Sequence, residues 1–299
     1  MERSSGSFVS RYLERVKETK SVLCVGLDPT PKHVPQGFTL QCYLMQVIDI
    51  AAPLVPVVKP QFAHYAALSV DGLILLKYLV KYAHSLGLMV ILDAKRADIG
   101  ETMELYGEEV FDGYNVDACT FVPYLGPTFN PAWMKWLKQG RLPISMIRTS
   151  NTEATTTQDP KLESGQLVYE YMAELVKGWN DQVAEATDGM GGVGGVVGAT
   201  WPEKAVRCRE LAGDDVFFLI PGYGAQGGGA EGAVGGLINS RKEPMGTVNS
   251  SRGITLSSWW DKEKKQPREG KPLDLVEAAI KTANTELYLA IQRKFNILL

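Results

Sequence analysis

Cysteine and histidine are scarce in this sequence of 299 residues, with four of the first and three of the second. Cys24, Cys42, Cys119 and Cys208 are widely scattered and form no CxxC pair, and Cys24 and Cys119 fall inside apolar runs. That spacing excludes a zinc-ribbon pattern and reads as core thiols in a reducing compartment. His33, His64 and His84 have no metal-ligand spacing, so no metal site is expected. Net charge is also small, at −3. Nothing here points to a nucleic-acid partner, and any anion site must come from local positive charge. No run approaches the roughly 18 apolar residues that a membrane span needs. The opening MERSSGSFVSRYLERVKETK lacks the continuous apolar stretch of a signal peptide. The expectation is a chain with no membrane partner, resident in the cytoplasm.

What is present is ordinary globular material, 45% hydrophobic and 22% charged. A chain of this length can bury a substantial core without covalent staples. Short apolar runs alternate with amphipathic helical stretches. Strands are read near 21–28, 55–62, 89–95, 118–123, 144–150, 193–200, 216–222 and 247–254. Several are nearly continuous in Val, Ile and Leu, as strands buried on both faces of a parallel sheet should be. Leu73, Leu76, Val80 and Ala83 repeat at three- and four-residue steps, with Gly87 as the stop. Residues 167–186 and 274–295 give two further helices, the second opened by Asp274 as a cap. Eight strand–helix alternations predict a (β/α)8 TIM barrel, an α/β fold, spanning residues 1–299 as one domain. A doubly wound open sheet is the runner-up on pattern alone.

Three stretches read as insertions: the threonine-rich 152–166, the glycine-rich 226–246, and 257–271 with its run DKEKKQPREGK. The plain expectation for each is a solvated surface loop. The glycine-rich stretch directly follows a strand, so it carries a second reading below.

In a barrel the active groups sit at the C-terminal ends of strands and in the loops that follow. Here those ends carry Asp28, Lys59, Asp93, Lys95, Ser150 and Arg252, with Asp98 in the loop after the third strand. Charges at the ends of apolar strands are costly to bury unless paired, which favours a functional site over chance. The densest group is LDAKRADIG, residues 92–100. On an extended chain Asp93 and Lys95 leave the same face, while Asp98 lies past the strand end and can point out of its own barrel. A lysine flanked by carboxylates is a poor Schiff-base nucleophile and a good proton donor. The competing reading is a structural ion-pair network closing the barrel mouth.

PGYGAQGG, residues 221–228, and NSSRGI, residues 249–254, form a second group after the seventh and eighth strands. Glycine-rich turns expose backbone N–H groups and an arginine adds a two-pronged contact, which suits a phosphate. His64 reads as a helix-start or packing residue. Ser150 in RTSN has no histidine near it in sequence to make it a nucleophile, so a turn cap is its plain reading.

With these residues quoted, the sequence resembles the orotidine 5'-monophosphate decarboxylase family, in its longer type with extended late loops. DAKRADIG is similar to that family's D-x-K-x-x-D signature. VGLDP, VKPQF, RTSN, VVGAT, PGYGAQGG and SSRGI resemble its accompanying motifs, in family order from Asp28 to Arg252. The resemblance implies conversion of orotidine 5'-monophosphate to uridine 5'-monophosphate and carbon dioxide, in de novo pyrimidine synthesis. It implies that Lys95 gives a proton to C6 and that Asp93 lies beside the departing carboxylate. Lys59 and Asp98 would complete an alternating charge network, with Asp98 donated by the neighbouring subunit of a homodimer. Asp28 and Lys59 would hold ribose hydroxyls, Thr102 would touch ribose across the dimer, Ser150 would contact the base, and Gln226 and Arg252 would bind phosphate. It implies no metal and no organic cofactor. Two other readings remain: a sugar-phosphate decarboxylase or aldolase of the same fold, usually metal-dependent, and a catalytically silent nucleotide-binding barrel.

Overall fold

The structure is a computed structural model, and it describes residues 6–28, 30–31, 34–224 and 227–299. Eight parallel strands close a barrel in strict chain order: β1 (Leu23–Leu27), β2 (Val57–Pro60), β3 (Met89–Arg96), β4 (Ala118–Phe121), β5 (Leu142–Arg148), β6 (Gly194–Val197), β7 (Phe218–Ile220) and β8 (Gly246–Ser250). β8 returns to pair with β1, with Cys24 opposite Asn249. The fold is the TIM barrel that the alternation predicts, and the open sheet is excluded. Most strands are shorter than their apolar runs. The runs extend beyond the ladder at one end or both, into segments that are buried or half-buried but whose backbone has left the sheet.

The helices lie between and around the strands: α1 (Phe8–Thr19), α2 (Leu40–Ala51), α3 (Phe62–Ala66), α4 (Ser69–Ser85), α5 (Gly100–Gly107), α6 (Phe129–Ala132), α7 (Met134–Leu137), α8 (Thr155–Gln158), α9 (Val168–Ala186), α10 (Pro202–Ala212), α11 (Ala230–Ala233), α12 (Arg252–Thr255) and α13 (Pro272–Phe295). None among the described residues is long and apolar enough to cross a membrane. Asp274 lies in the first turn of α13 and makes no side-chain cap bond; the helix starts two residues earlier, at Pro272. Proline fits there because its missing N–H is one the first turn cannot use.

α1 precedes the barrel and plugs its N-terminal end. Ser7 caps it by accepting from the Ser10 N–H. Phe8 and Tyr12 then pack edge-on against Phe217 at 5.1 and 4.9 Å. Burying such rings stabilises the plug by roughly 1.5–3 kcal/mol each.

The glycine-rich insertion is not the solvated loop its composition suggests. Residues 232–239 are buried, and a Cβ at Gly236 would come within 2.6 Å of the Ala205 carbonyl of α10. The glycines let this stretch lie directly on α10, which leaves room only for the short α11. By contrast 257–271 matches expectation: a small hairpin, Trp260–Asp261 against Gln266–Pro267, carries its charges outward.

Candidate active site at the C-terminal mouth

β3 supplies the centre of the site. Its register against β4 shifts between Leu92 and Arg96, and Lys95 sits at φ 50°. That left-handed conformation is costly for a residue with a Cβ, by roughly 1–3 kcal/mol, and persists only where the surroundings impose it. Thr120 of β4 is one such constraint: its Oγ1 accepts the Lys95 backbone N–H at 3.0 Å. Asp93 and Lys95 therefore meet for a different reason from the extended-chain alternation. The strand bulges, and the Lys95 ammonium curls back to donate to Asp93 Oδ1 at 2.6 Å.

β2 delivers Lys59 from the other side. Its side chain is buried, and its Nζ lies 3.4 Å from Asp93 Oδ2. Each oxygen of Asp93 thus holds one ammonium, and Oδ1 also accepts the Thr120 hydroxyl at 2.8 Å. Burial alone would raise the Asp93 pKa, but the charges of Lys59 and Lys95 outweigh it and hold it at about 2. Burial alone would lower that of Lys59, yet Asp28 and Asp93 reverse the direction and raise it. Both groups are charged at neutral pH. Cys24 is buried near them, and burial pushes its thiol up to about 12, so it stays neutral and inert.

Asp28 follows β1, and its Oδ1 is buried with no hydrogen-bond partner among the described residues. An orphaned carboxylate oxygen is expensive, and a ligand hydroxyl is a natural donor for it. Asp28, Lys59, Asp93, Lys95 and Ser150 share the wall of one cavity of about 290 Å³. The same wall has an apolar side, made by Met146, Val196, Leu219 and Pro221.

The other expected residues lie elsewhere. Arg252 opens α12 and borders a neighbouring cavity of about 300 Å³, together with His64 and Lys262. Asp28 lies on the walls of both cavities. Asp98 does not reach the Lys95 cavity: its Oδ1 accepts the Ile99 N–H at 2.9 Å, and its carbonyl accepts the Thr128 hydroxyl at 2.6 Å. Thr102 is exposed on α5. Gln226 lies outside the described residues. Arg96, in the middle of the signature, turns away and pairs with Glu109 at 2.6 and 2.8 Å, stacked on Phe62.

Sequence reading passed over Thr120, Gln61, Asn151 and Asn249. Thr120 was detectable in principle as a lone hydroxyl in the apolar strand ACTF. The others lie inside the motifs VKPQF, RTSN and NSSRGI, whose neighbouring charges and hydroxyls drew the reading instead. Among the described residues no group of three His, Cys, Asp or Glu side chains is placed to hold a metal ion.

Comparison with known proteins agrees with the motif reading. The model of the family described as "Orotidine 5'-phosphate decarboxylase / HUMPS family" matches residues 21–265. An orotidine 5'-phosphate decarboxylase of Ralstonia pickettii is 37% identical over 262 residues, covering 84% of this chain and 90% of that one. One from Methylibium petroleiphilum is 36% identical over 262 residues, covering 83% and 90%. A solved OMP decarboxylase of Leishmania donovani superposes with a TM-score of 0.73 at 25% identity, covering 94% of this chain and 99% of that one.

Proposed function

This chain belongs to the orotidine 5'-phosphate decarboxylase / HUMPS family, and from that premise we propose that it converts orotidine 5'-monophosphate to uridine 5'-monophosphate and carbon dioxide in pyrimidine synthesis, with Lys95 as proton donor. The observation that carries this reading is Asp93 held between the Lys59 and Lys95 ammonium groups, on a cavity wall where Asp28 keeps a buried oxygen unpartnered among the described residues.

The bond that breaks joins ring carbon C6 to its carboxylate. Its electron pair stays on C6, where the ring offers little resonance relief. Enzymes lower barriers by roughly 8–23 kcal/mol, and this reaction needs the upper end. A fixed ammonium beside C6 supplies the charge stabilisation, then its proton, and is recharged from water. Lys95 suits that role because its side chain is half exposed toward the mouth while Asp93 fixes one of its bonds. Asp93 lies where the carboxylate would depart. Asp28 and Lys59 take ribose hydroxyls, Ser150 takes the base, and Arg252 with Gln226 takes the phosphate. Binding the distant phosphate helps order the reacting end.

Asp98 and Thr102 enter this scheme from a second copy of the chain. Ile99 and Leu105 on one side, and Tyr124 and Leu125 on the other, are exposed apolar residues. The Thr128–Asp98 bond ties their two segments together. A patch of this kind, carrying a carboxylate that its own cavity does not use, fits a homodimer with shared sites.

Loss of orotidylate absorbance with purified protein in excess chelator tests the reaction. Turnover under those conditions supports it; no turnover of the nucleotide, with activity on a sugar phosphate restored by metal, replaces it. Mixing an inactive Lys95 variant with an inactive Asp98 variant should restore part of the activity. No rescue in confirmed heterodimers removes the shared site.

A further inference from the structure

The threonine-rich insertion begins just past Ser150 and Asn151, at Thr152, and its first turn returns to the place it left. Arg148, the last residue of β5, is fully buried, and its guanidinium holds both oxygens of Asp159 at 2.9 and 3.2 Å. Lys204 of α10 adds a third contact to Asp159 at 2.6 Å. The indole of Trp201 lies 5.0 Å from the Arg148 cation and 4.5 Å from the Lys204 cation. One residue earlier, Gln158 Oε1 accepts the Thr149 N–H at 2.9 Å, and its Nε2 donates to Thr149 Oγ1 at 3.0 Å. The stretch between is therefore closed at its base by two successive pairs, 148 with 159 and 149 with 158.

What the closed loop holds is the wall of the catalytic cavity. Thr149, Ser150 and Asn151 line that cavity. The Thr149 hydroxyl donates to Asn151 Oδ1 at 2.8 Å, and the Thr200 hydroxyl donates to the Ser150 carbonyl at 2.8 Å. The residue after β6 presses from behind: a Cβ at Gly198 would lie 2.6 Å from Ser150 Cα. Burial alone would raise the Asp159 pKa, but bonds from Lys204 and Arg148 lower it, so the clasp is charged across the neutral range.

We infer that residues 152–159 form a clasp, in which Asp159 and Gln158 are positioning residues that fix Ser150 and Asn151 against the base of the nucleotide. This rests on the proposed contact of Ser150 with the base. Asp159 is not among the residues on the cavity wall. It keeps Arg148 neutralised in the barrel wall, and the Arg148–Thr149–Ser150 backbone follows. Residues that place a binding group to within an ångström can cost up to about 100-fold when lost.

The test compares uridine 5'-monophosphate with ribose 5-phosphate as inhibitors, since the second has the same phosphate and sugar but no base. Asp159→Ala and Gln158→Leu should each weaken the nucleotide by about tenfold or more, a displacement smaller than the extreme case, and leave ribose 5-phosphate unchanged. KM should rise more than kcat falls. Asp159→Glu should recover part of the loss. In a Ser150→Ala background neither change should add much. Equal weakening of both inhibitors, or full additivity with Ser150→Ala, marks a merely structural role and overturns the clasp. Gln158→Leu removes no buried charge, so it decides the matter if Asp159→Ala does not fold. If Ser150→Ala itself leaves nucleotide affinity intact, the base contact fails; if only the clasp variants are silent, the clasp alone fails.

Discussion

An aspartate sits among cations at each end of this barrel, fully buried at one end and partly exposed at the other, and the two clusters differ in what surrounds them. At the N-terminal end Asp117 accepts from Arg11 at 2.7 Å, from His84 at 2.8 Å and from the Val90 N–H at 2.9 Å, with Arg141 at 4.0 Å. Its side chain is 2% exposed, and its partners come from α1, α4, β3 and the entry to β5. At the mouth Asp93 holds Lys59 and Lys95, but the Lys95 side chain is 45% exposed and Asp28 keeps an oxygen without a partner among the described residues. Both clusters hold charge in apolar surroundings, which is costly unless it is paired. In the lower one the protein's own groups meet the aspartate from every side, so it can only hold elements together. In the upper one bonding capacity is left over, and it borders a cavity of nucleotide-fragment size. Unspent valence, rather than the presence of buried charge, separates a reactive site from a brace.

Removing the Lys95 ammonium tests that distinction most severely. Lys95→Ala should lower turnover by about 10⁴-fold, the upper range for a positioned proton donor, while thermal unfolding stays close to wild type. Near-normal turnover would take the proton-donor role from Lys95. Asp117→Ala should behave the opposite way. It strands Arg11 in the interior and should cost roughly 3–5 kcal/mol of unfolding free energy, with kcat/KM per folded molecule unchanged. A catalytic defect without destabilisation would mean the two ends are coupled and the comparison is false.

The upper cluster also stabilises, and pH reveals how much. Asp93 has its pKa lowered from 3.8 to about 2. A depressed carboxylate contributes stability that is full above its unfolded value and is lost as pH falls through its folded one. The stability gap between wild type and Asp93→Asn, followed by urea unfolding, should be flat above about pH 4. It should shrink by an amount of order 2 kcal/mol toward pH 2. A gap that does not change with pH would mean Lys59 and Lys95 do not hold the charged form.

The barrel and the upper cluster were legible in the sequence for the same reason. A parallel strand buried on both faces gives a continuous apolar run, and a charge at its end stands out against it, as LDAK does. The lower cluster was not legible, because Asp117 and Arg11 lie 106 residues apart and Asp117 stands just before the start of its strand rather than at the end where active groups are sought. Arg148 and Asp159 escaped notice because a polar, threonine-rich stretch looks solvated whether or not one of its carboxylates is anchored. The glycines at 232–236 misled in the other direction: lack of side chains reads as looseness, but here it permits close packing on α10. The left-handed turn at Lys95 was invisible because lysine is no marker for it.

Thr120 offers the smallest and sharpest test of how the upper cluster is kept open. It is fully buried, and its hydroxyl serves both members of the pair: it donates to Asp93 Oδ1 and accepts from the Lys95 backbone. Thr120→Val keeps the shape and removes both bonds. Hydrogen bonds to charged groups contribute roughly 1.5–3 kcal/mol, so kcat should fall by about tenfold or somewhat more. KM should hold, because Thr120 is not among the residues that wall the Lys95 cavity. Thr120→Ser, which keeps the hydroxyl, should recover most of the rate. A loss in KM instead of kcat would place Thr120 with the binding groups. No loss at all would mean that Asp93 and the strained Lys95 backbone hold their geometry without it, and that β3 alone sets the upper cluster.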